Sequence, residues 1–118
     1  MKPIRIIIAG GRDCPVNVTN RVRVGRIIAN LNHDDIELVS GTARGADQIP
    51  YMFKDQFPIK EFPANWDKFG KSAGYKRNTQ MAEYATHLIA FWDGQSKGTK
   101  HMIDIAKRLN LKLAIARY

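Results

Sequence analysis

The sequence predicts an α/β fold: one doubly wound domain whose parallel sheet is covered by helices on both faces. Three observations predict it. Five short apolar runs lack the polar alternation of a half-solvated strand and read as buried strands. Segments with apolar residues at helical spacing alternate with them along the chain. Several strand ends open into loops of glycine and small polar residues that lead into the next helix.

The first strand is expected over residues 4–9 (IRIIIA), ending at Gly10-Gly11-Arg12-Asp13. Asn17 or Thr19 can cap a first helix, where Val24, Ile27, Ile28 and Leu31 fall at i, i+3, i+4 and i+7. Residues 36–40 form a second strand, ending at Gly41. The loop to Asp47 leads into a second helix with Ile49 and Phe53 on its inner face. Proline is tolerated only in a first helical turn, so Pro50 makes Asp47 the expected N-cap. A third strand covers residues 59–62, and a long loop, 63–74, carries Trp66, Asp67, Lys68, Lys71 and Ser72. A third helix is expected over 75–85 and a fourth strand over 88–92. The fourth helix spans about 99–109, with Met102, Ile105, Ala106 and Leu109 at helical spacing, and a fifth strand covers 111–116.

No linker, repeat or low-complexity segment divides the chain, so residues 1–118 read as a single domain. Its 44% apolar content is that of a globular protein. No apolar run approaches the ~20 residues of a membrane span. Met1-Lys2-Pro3 opens directly into a strand, without the features of a secretion signal. A single cysteine, Cys14, fits a reducing cytoplasm. The net charge of +8 favours anionic partners, but it is scattered and forms no block.

Right-handed crossovers make the simplest strand order 3-2-1-4-5. Strands 1 and 4 are then neighbours and the winding reverses between them, which is where open α/β sheets bind ligands, at the strands' carboxyl ends. The loops after strands 1, 2 and 4 converge there.

Each loop holds candidates. Segment 88–102, LIAFWDGQSKGTKHM, runs from strand through loop to helix start. Unpartnered N–H groups at a helix start can point at an anion, and small residues let it approach. Asp93, Gly94, Ser96, Gly98 and Thr99 are therefore ligand-binding candidates; the alternative is that Ser96 or Thr99 only caps the helix. Gly10, Gly11, Arg12 and Asp13 offer a cation and a hydroxyl acceptor for phosphate or ribose; the alternative is a plain turn with an Arg12–Asp13 ion pair. Gly41, Thr42, Arg44 and Asp47 form another candidate turn, Arg44 supplying a guanidinium for bidentate phosphate contact. Trp66 can stack on a base or anchor the long loop to the core. Arg77 and Asn78 can complete an anion site or form a solvated basic turn. His33, His87 and His101 are isolated, so no metal-ligand cluster is visible. Cys14 follows Asp13, whose charge would raise its pKa, and it lacks a catalytic partner.

These residues resemble a known group. Gly10-Gly11-Arg12-Asp13, Ser40-Gly-Thr-Ala-Arg-Gly-Ala-Asp47, Phe62-Pro-Ala-Asn-Trp-Asp67, Gly74-Tyr-Lys-Arg-Asn78 and Phe91-Trp-Asp-Gly-Gln-Ser-Lys-Gly-Thr99 are together similar to the YspA/YpsA-related branch of the SLOG superfamily. The similarity runs over nearly the whole chain, in order and at compatible spacing. It implies a Rossmann-like domain that binds a nucleotide or nucleotide-derived ligand and requires no cofactor, and, since superfamily members often form dimers, a homo-oligomer. It also implies the cytoplasm of a bacterium, or of the host cell for a phage-encoded member.

The superfamily includes LOG phosphoribohydrolases, which cleave the N-glycosidic bond of nucleoside 5′-monophosphates, and DprA-type DNA-processing proteins. Residues 40–47 are similar to the DprA Ser-Gly-x-Ala-Arg-Gly-Ile-Asp motif, with Ala46 in place of Ile. The LOG motifs are matched in part. Arg77 and Met81 keep two positions of Arg-Lys-x-x-Met, and Asn78 replaces the lysine. Gly98-Thr99 keeps part of Gly-Gly-x-Gly-Thr-x-x-Glu, and Met102 stands where the glutamate belongs. Glycosidic cleavage needs a carboxylate, which methionine cannot supply. Binding is therefore the leading expectation. The alternative is a hydrolase of nucleoside monophosphates or related N-glycosides with a relocated carboxylate from Asp13, Asp47, Asp67 or Asp93, the first catalytic candidates being Asp13, Asp93 and Arg77. DprA-like nucleic-acid binding is a third expectation.

Overall fold

A computed structural model describes residues 3–118. Met1 and Lys2, the expected lead into the first strand, lie outside the described residues. Five strands, β1 (Ile4–Gly10), β2 (Ile36–Ser40), β3 (Ile59–Glu61), β4 (His87–Trp92) and β5 (Lys112–Arg117), form one parallel sheet in the order β3-β2-β1-β4-β5. The helices are α1 (Val18–Leu31), α2 (Trp66–Phe69), α3 (Ala73–Tyr84) and α4 (Lys97–Arg108). Between β2 and β3 the crossover is a 3₁₀ helix, Gly45–Phe53.

Alternate residues of a strand face opposite sides of the sheet. On one side Ile6 and Ile8 of β1 join Val24 and Ile28 of α1 and Ile49 and Phe53 of the 3₁₀ helix. On the other, Ile7 and Ala9 join Met81 and Ala82 of α3 and Met102, Ile103 and Ala106 of α4. Elements between β1 and β3 thus cover one face and those between β3 and β5 the other. This is the doubly wound, Rossmann-like order that the alternation predicts, with its reversal between β1 and β4.

Local chemistry decides several points that the sequence left open or predicted otherwise. Asn17, rather than Thr19, caps α1, its Oδ1 accepting the Asn20 N–H at 2.9 Å. The second helix is 3₁₀ because Pro50 sits in its middle, where it supplies no N–H to an α ladder. Asp47 is not its N-cap: Arg44 holds that position without a side-chain bond, and Asp47 lies inside the first turn. Within the long loop, Asn65 caps the four-residue α2 by accepting the Lys68 N–H at 3.1 Å. A 3₁₀ turn, Gly70–Ser72, then leads into α3, which starts two residues earlier than expected.

Candidate functional site

The carboxyl ends of β1, β2 and β4 open onto one cleft of about 540 Å³. Gly10, Gly11, Arg12, Asp13, Arg44, Asp47, Trp66, Arg77, Asn78, Asp93, Ser96, Gly98 and Thr99 all line it. Gly41 and Thr42 line an adjoining cavity of about 420 Å³, shared with Arg12, Ala43, Arg44, Trp66 and Arg77. Gly94 lines neither: at φ +90° it makes the turn beneath Arg117. Lys71, Tyr75 and Tyr118 also line the cleft without having been expected there. The Tyr118 hydroxyl lies against the Cα of Gly11, where any side chain would collide with it. Nothing local in the sequence signals that contact, which joins the first loop to residue 118.

At the floor, two glycine turns meet a buried acid. The Gly11 carbonyl accepts the Cys14 and Ala46 N–H groups, each at 3.2 Å, tying the β1 loop to the start of the 3₁₀ helix. Ser40 is fully buried; its hydroxyl donates to the Asp47 carbonyl at 2.7 Å and accepts the Thr42 N–H at 3.0 Å. The Asp47 carboxylate accepts the Ala43 N–H at 3.1 Å. A Cβ on Gly41 would lie 2.6 Å from Arg77 Nη1 and 2.7 Å from Asp47 Oδ2, so a larger residue there would displace these two groups. Arg77 Nη1 donates to the Gly41 carbonyl, and Nε to Asn78 Oδ1 at 3.1 Å. Asn78 is itself buried, its Nδ2 reaching the Gly98 carbonyl at 3.4 Å and so joining α3 to the α4 start.

The three carboxylates differ. Burial pushes the Asp47 carboxyl up to about 6, against the pull of Arg77, the backbone donors and Arg12. Asp93 is exposed and held below the usual range by the Ser96 and Gln95 N–H groups, both of which Oδ1 accepts at 2.8 Å. Asp13 is also exposed and pairs with Arg44 at 3.7 Å, rather than with Arg12. Next to it, burial pushes the Cys14 thiol up to about 11, with Arg23 opposing; the cause is burial, not the charge of Asp13.

Ser96 does cap α4, its Oγ accepting the Thr99 N–H at 3.5 Å while it also lines the cleft. The first turn of α4 carries no acidic residue to oppose the positive helix end. An added Cβ at Gly98 would meet nothing within 4 Å, leaving the backbone open there. Trp66 is 51% exposed and lies beside Gly74, 3.7 Å from where a Cβ would stand, outside both core clusters. Nearby, Tyr75 is 46% exposed, its ring 4.3 Å from that of His101.

Fold and cleft together define a Rossmann-like α/β domain with a polar cavity at its topological switch point. The chain is 30% identical over 118 aligned positions to the Gene 61 protein of Mycobacterium phage D29, with 91% of each chain covered. It belongs to the same family as that phage protein. No family profile and no solved structure matches it.

Proposed function

We propose that this chain binds a nucleotide or nucleotide-derived small molecule in the switch-point cleft, as a member of the SLOG superfamily. One observation carries the reading. The α4 start, with no acidic residue in its first turn and an open backbone at Gly98, faces the same cleft as Arg77 and the half-exposed Trp66. A phosphate on the Gly98 and Thr99 N–H groups, with Arg77 nearby and a base against the indole, uses all three. The resemblance brings with it a homo-oligomer working in the cytoplasm of a bacterium or an infected host, and the phage relative fits the second setting.

A thermal-shift panel of nucleoside mono- and diphosphates and ADP-ribose-type compounds tests the reading. A binder at a hundredfold excess over its Kd stabilises the fold by about 2.7 kcal/mol. No response to any member at millimolar concentration would sink the proposal.

A second reading, hydrolysis of an N-glycosidic bond, is favoured by one group. Asp47 lines the cleft and, raised to about 6, can exchange a proton near neutral pH. Asp93 is committed to its own loop and Asp13 is a solvated carboxylate beside Arg44, so Asp47 becomes the acid to test first. Base release from labelled nucleotides, abolished in Asp47→Asn and retained in Asp13→Asn, would establish this reading over simple binding.

A further inference from the structure

Beside the main cleft, the second cavity opens between residues 41–44 and residues 63–66. Its charged lining is Arg12, Arg44 and Arg77, and among the described residues no carboxylate lines it. The main cleft differs: there Arg12, Arg44, Lys71 and Arg77 face Asp13, Asp47 and Asp93. Four cations against three carboxylates nearly cancel there; the three guanidiniums shared with the side cavity meet Asp13 and Asp47 on the main-cleft side, and only their side-cavity faces are free of carboxylate. A concavity lined by one sign of charge concentrates counter-ions. Guanidinium forks match the oxygens of a phosphate better than a point charge does. At about 420 Å³ the cavity is itself within the ~300–1,000 Å³ of small-molecule sites.

The cavity is also joined to the main cleft, and one of its three arginines is held in place. Arg12, Ala43, Arg44, Trp66 and Arg77 line both spaces. Arg77 is fixed between the two by its bonds to the Gly41 carbonyl and to Asn78. A ligand with one phosphate on the α4 start therefore has a second, more positive space within reach around the indole of Trp66.

We propose that the side cavity is a second anion subsite, and that the ligand class is nucleotides bearing two separate phosphate groups. One phosphate sits on the α4 N-terminus and the other among Arg12, Arg44 and Arg77. This rests on the nucleotide reading above.

Inorganic phosphate titrated into ¹⁵N-labelled protein tests the subsite directly. The expected result is two independent sets of shifting amides, Gly98–Thr99 and residues 42–44. Ala64→Phe, at a position lining the side cavity alone, silences the second set and leaves the first, which also reports that the variant is folded. Should that variant not fold, Arg44→Gln, at a 75% exposed side chain, serves instead and weakens the second set severalfold. Movement of Gly98–Thr99 alone overturns the subsite and leaves the nucleotide reading standing. Movement of residues 42–44 alone overturns the placement of a phosphate on α4. If neither moves, both fall. For the ligand class, adenosine and guanosine 3′,5′-bisphosphates are compared with the 5′-monophosphates by calorimetry. At least one bisphosphate binds tenfold or more tighter than its monophosphate, and Ala64→Phe removes that advantage. Equal affinities in both pairs overturn the assignment of ligand class.

Discussion

Asp47 is a carboxyl buried among backbone donors with Arg77 nearby, and its raised pKa ties proton uptake to stability. Below about 3.8 it is protonated whether folded or unfolded, and burial costs no charge. Between about 3.8 and about 6 the unfolded chain gives up the proton that the folded carboxyl keeps, so stability falls as pH rises and levels off once the folded group ionises at about 6. A shift of this size corresponds to about 3 kcal/mol. Asp47→Asn keeps an acceptor for the Ala43 N–H and carries no charge. Its stability relative to wild type is expected to rise between pH about 4 and about 6, by up to that amount; urea denaturation across the range checks it, and a pH-independent difference contradicts it. Gly45 offers a second test. It has φ +82°, and a Cβ there would run into the Gly11 carbonyl. Gly45→Ala is expected to cost at least about 2 kcal/mol in the same assay. Each of these residues stands out in the sequence as a member of a candidate turn. Which atoms they touch does not, since Gly11 and Gly45 lie far apart in the chain and meet only when β1 and β2 pair.

Two helix starts with similar chemistry separate stability from binding. Asn17 caps α1 and Ser96 caps α4. Alanine at either cap is expected to cost about 0.5–1 kcal/mol. Only Ser96 lines the cleft, so only Ser96→Ala is expected to change nucleotide affinity as well; a thermal-shift comparison of the two variants at saturating and zero ligand checks this. Strands and long helices were legible at this scale because burial on both faces leaves continuous apolar runs and clean periodicity. The short helix α2 was not, since four residues cannot show a period of 3.6. The helix over Gly45–Phe53 is legible from its apolar spacing, but its 3₁₀ type is not, because Pro50 decides which hydrogen-bond ladder can form.

Across the whole molecule, salt dependence distinguishes the proposed small-ligand reading from a nucleic-acid one. The net charge is +8, yet within the main cleft cations and carboxylates nearly balance. Nucleotide affinity is expected to fall less than tenfold between 50 and 200 mM salt. Binding to duplex DNA through six or more phosphates would fall roughly a thousandfold over the same range. A steep slope with DNA and no nucleotide response would favour the DprA-like alternative.

By itself the sequence determined the number and order of strands, the parallel sheet and the three loops that converge, because alternation and handed crossovers leave one simple arrangement. Only the tertiary structure decided which groups in those loops are exposed and which are spent. It buried Asp47, committed Asp93 to its own backbone, moved the partner of Asp13 from Arg12 to Arg44, and set Tyr118 over Gly11. It also divided the cleft into a balanced space and a positive one. Those outcomes depend on distances between side chains far apart in the chain, and no local pattern encodes them.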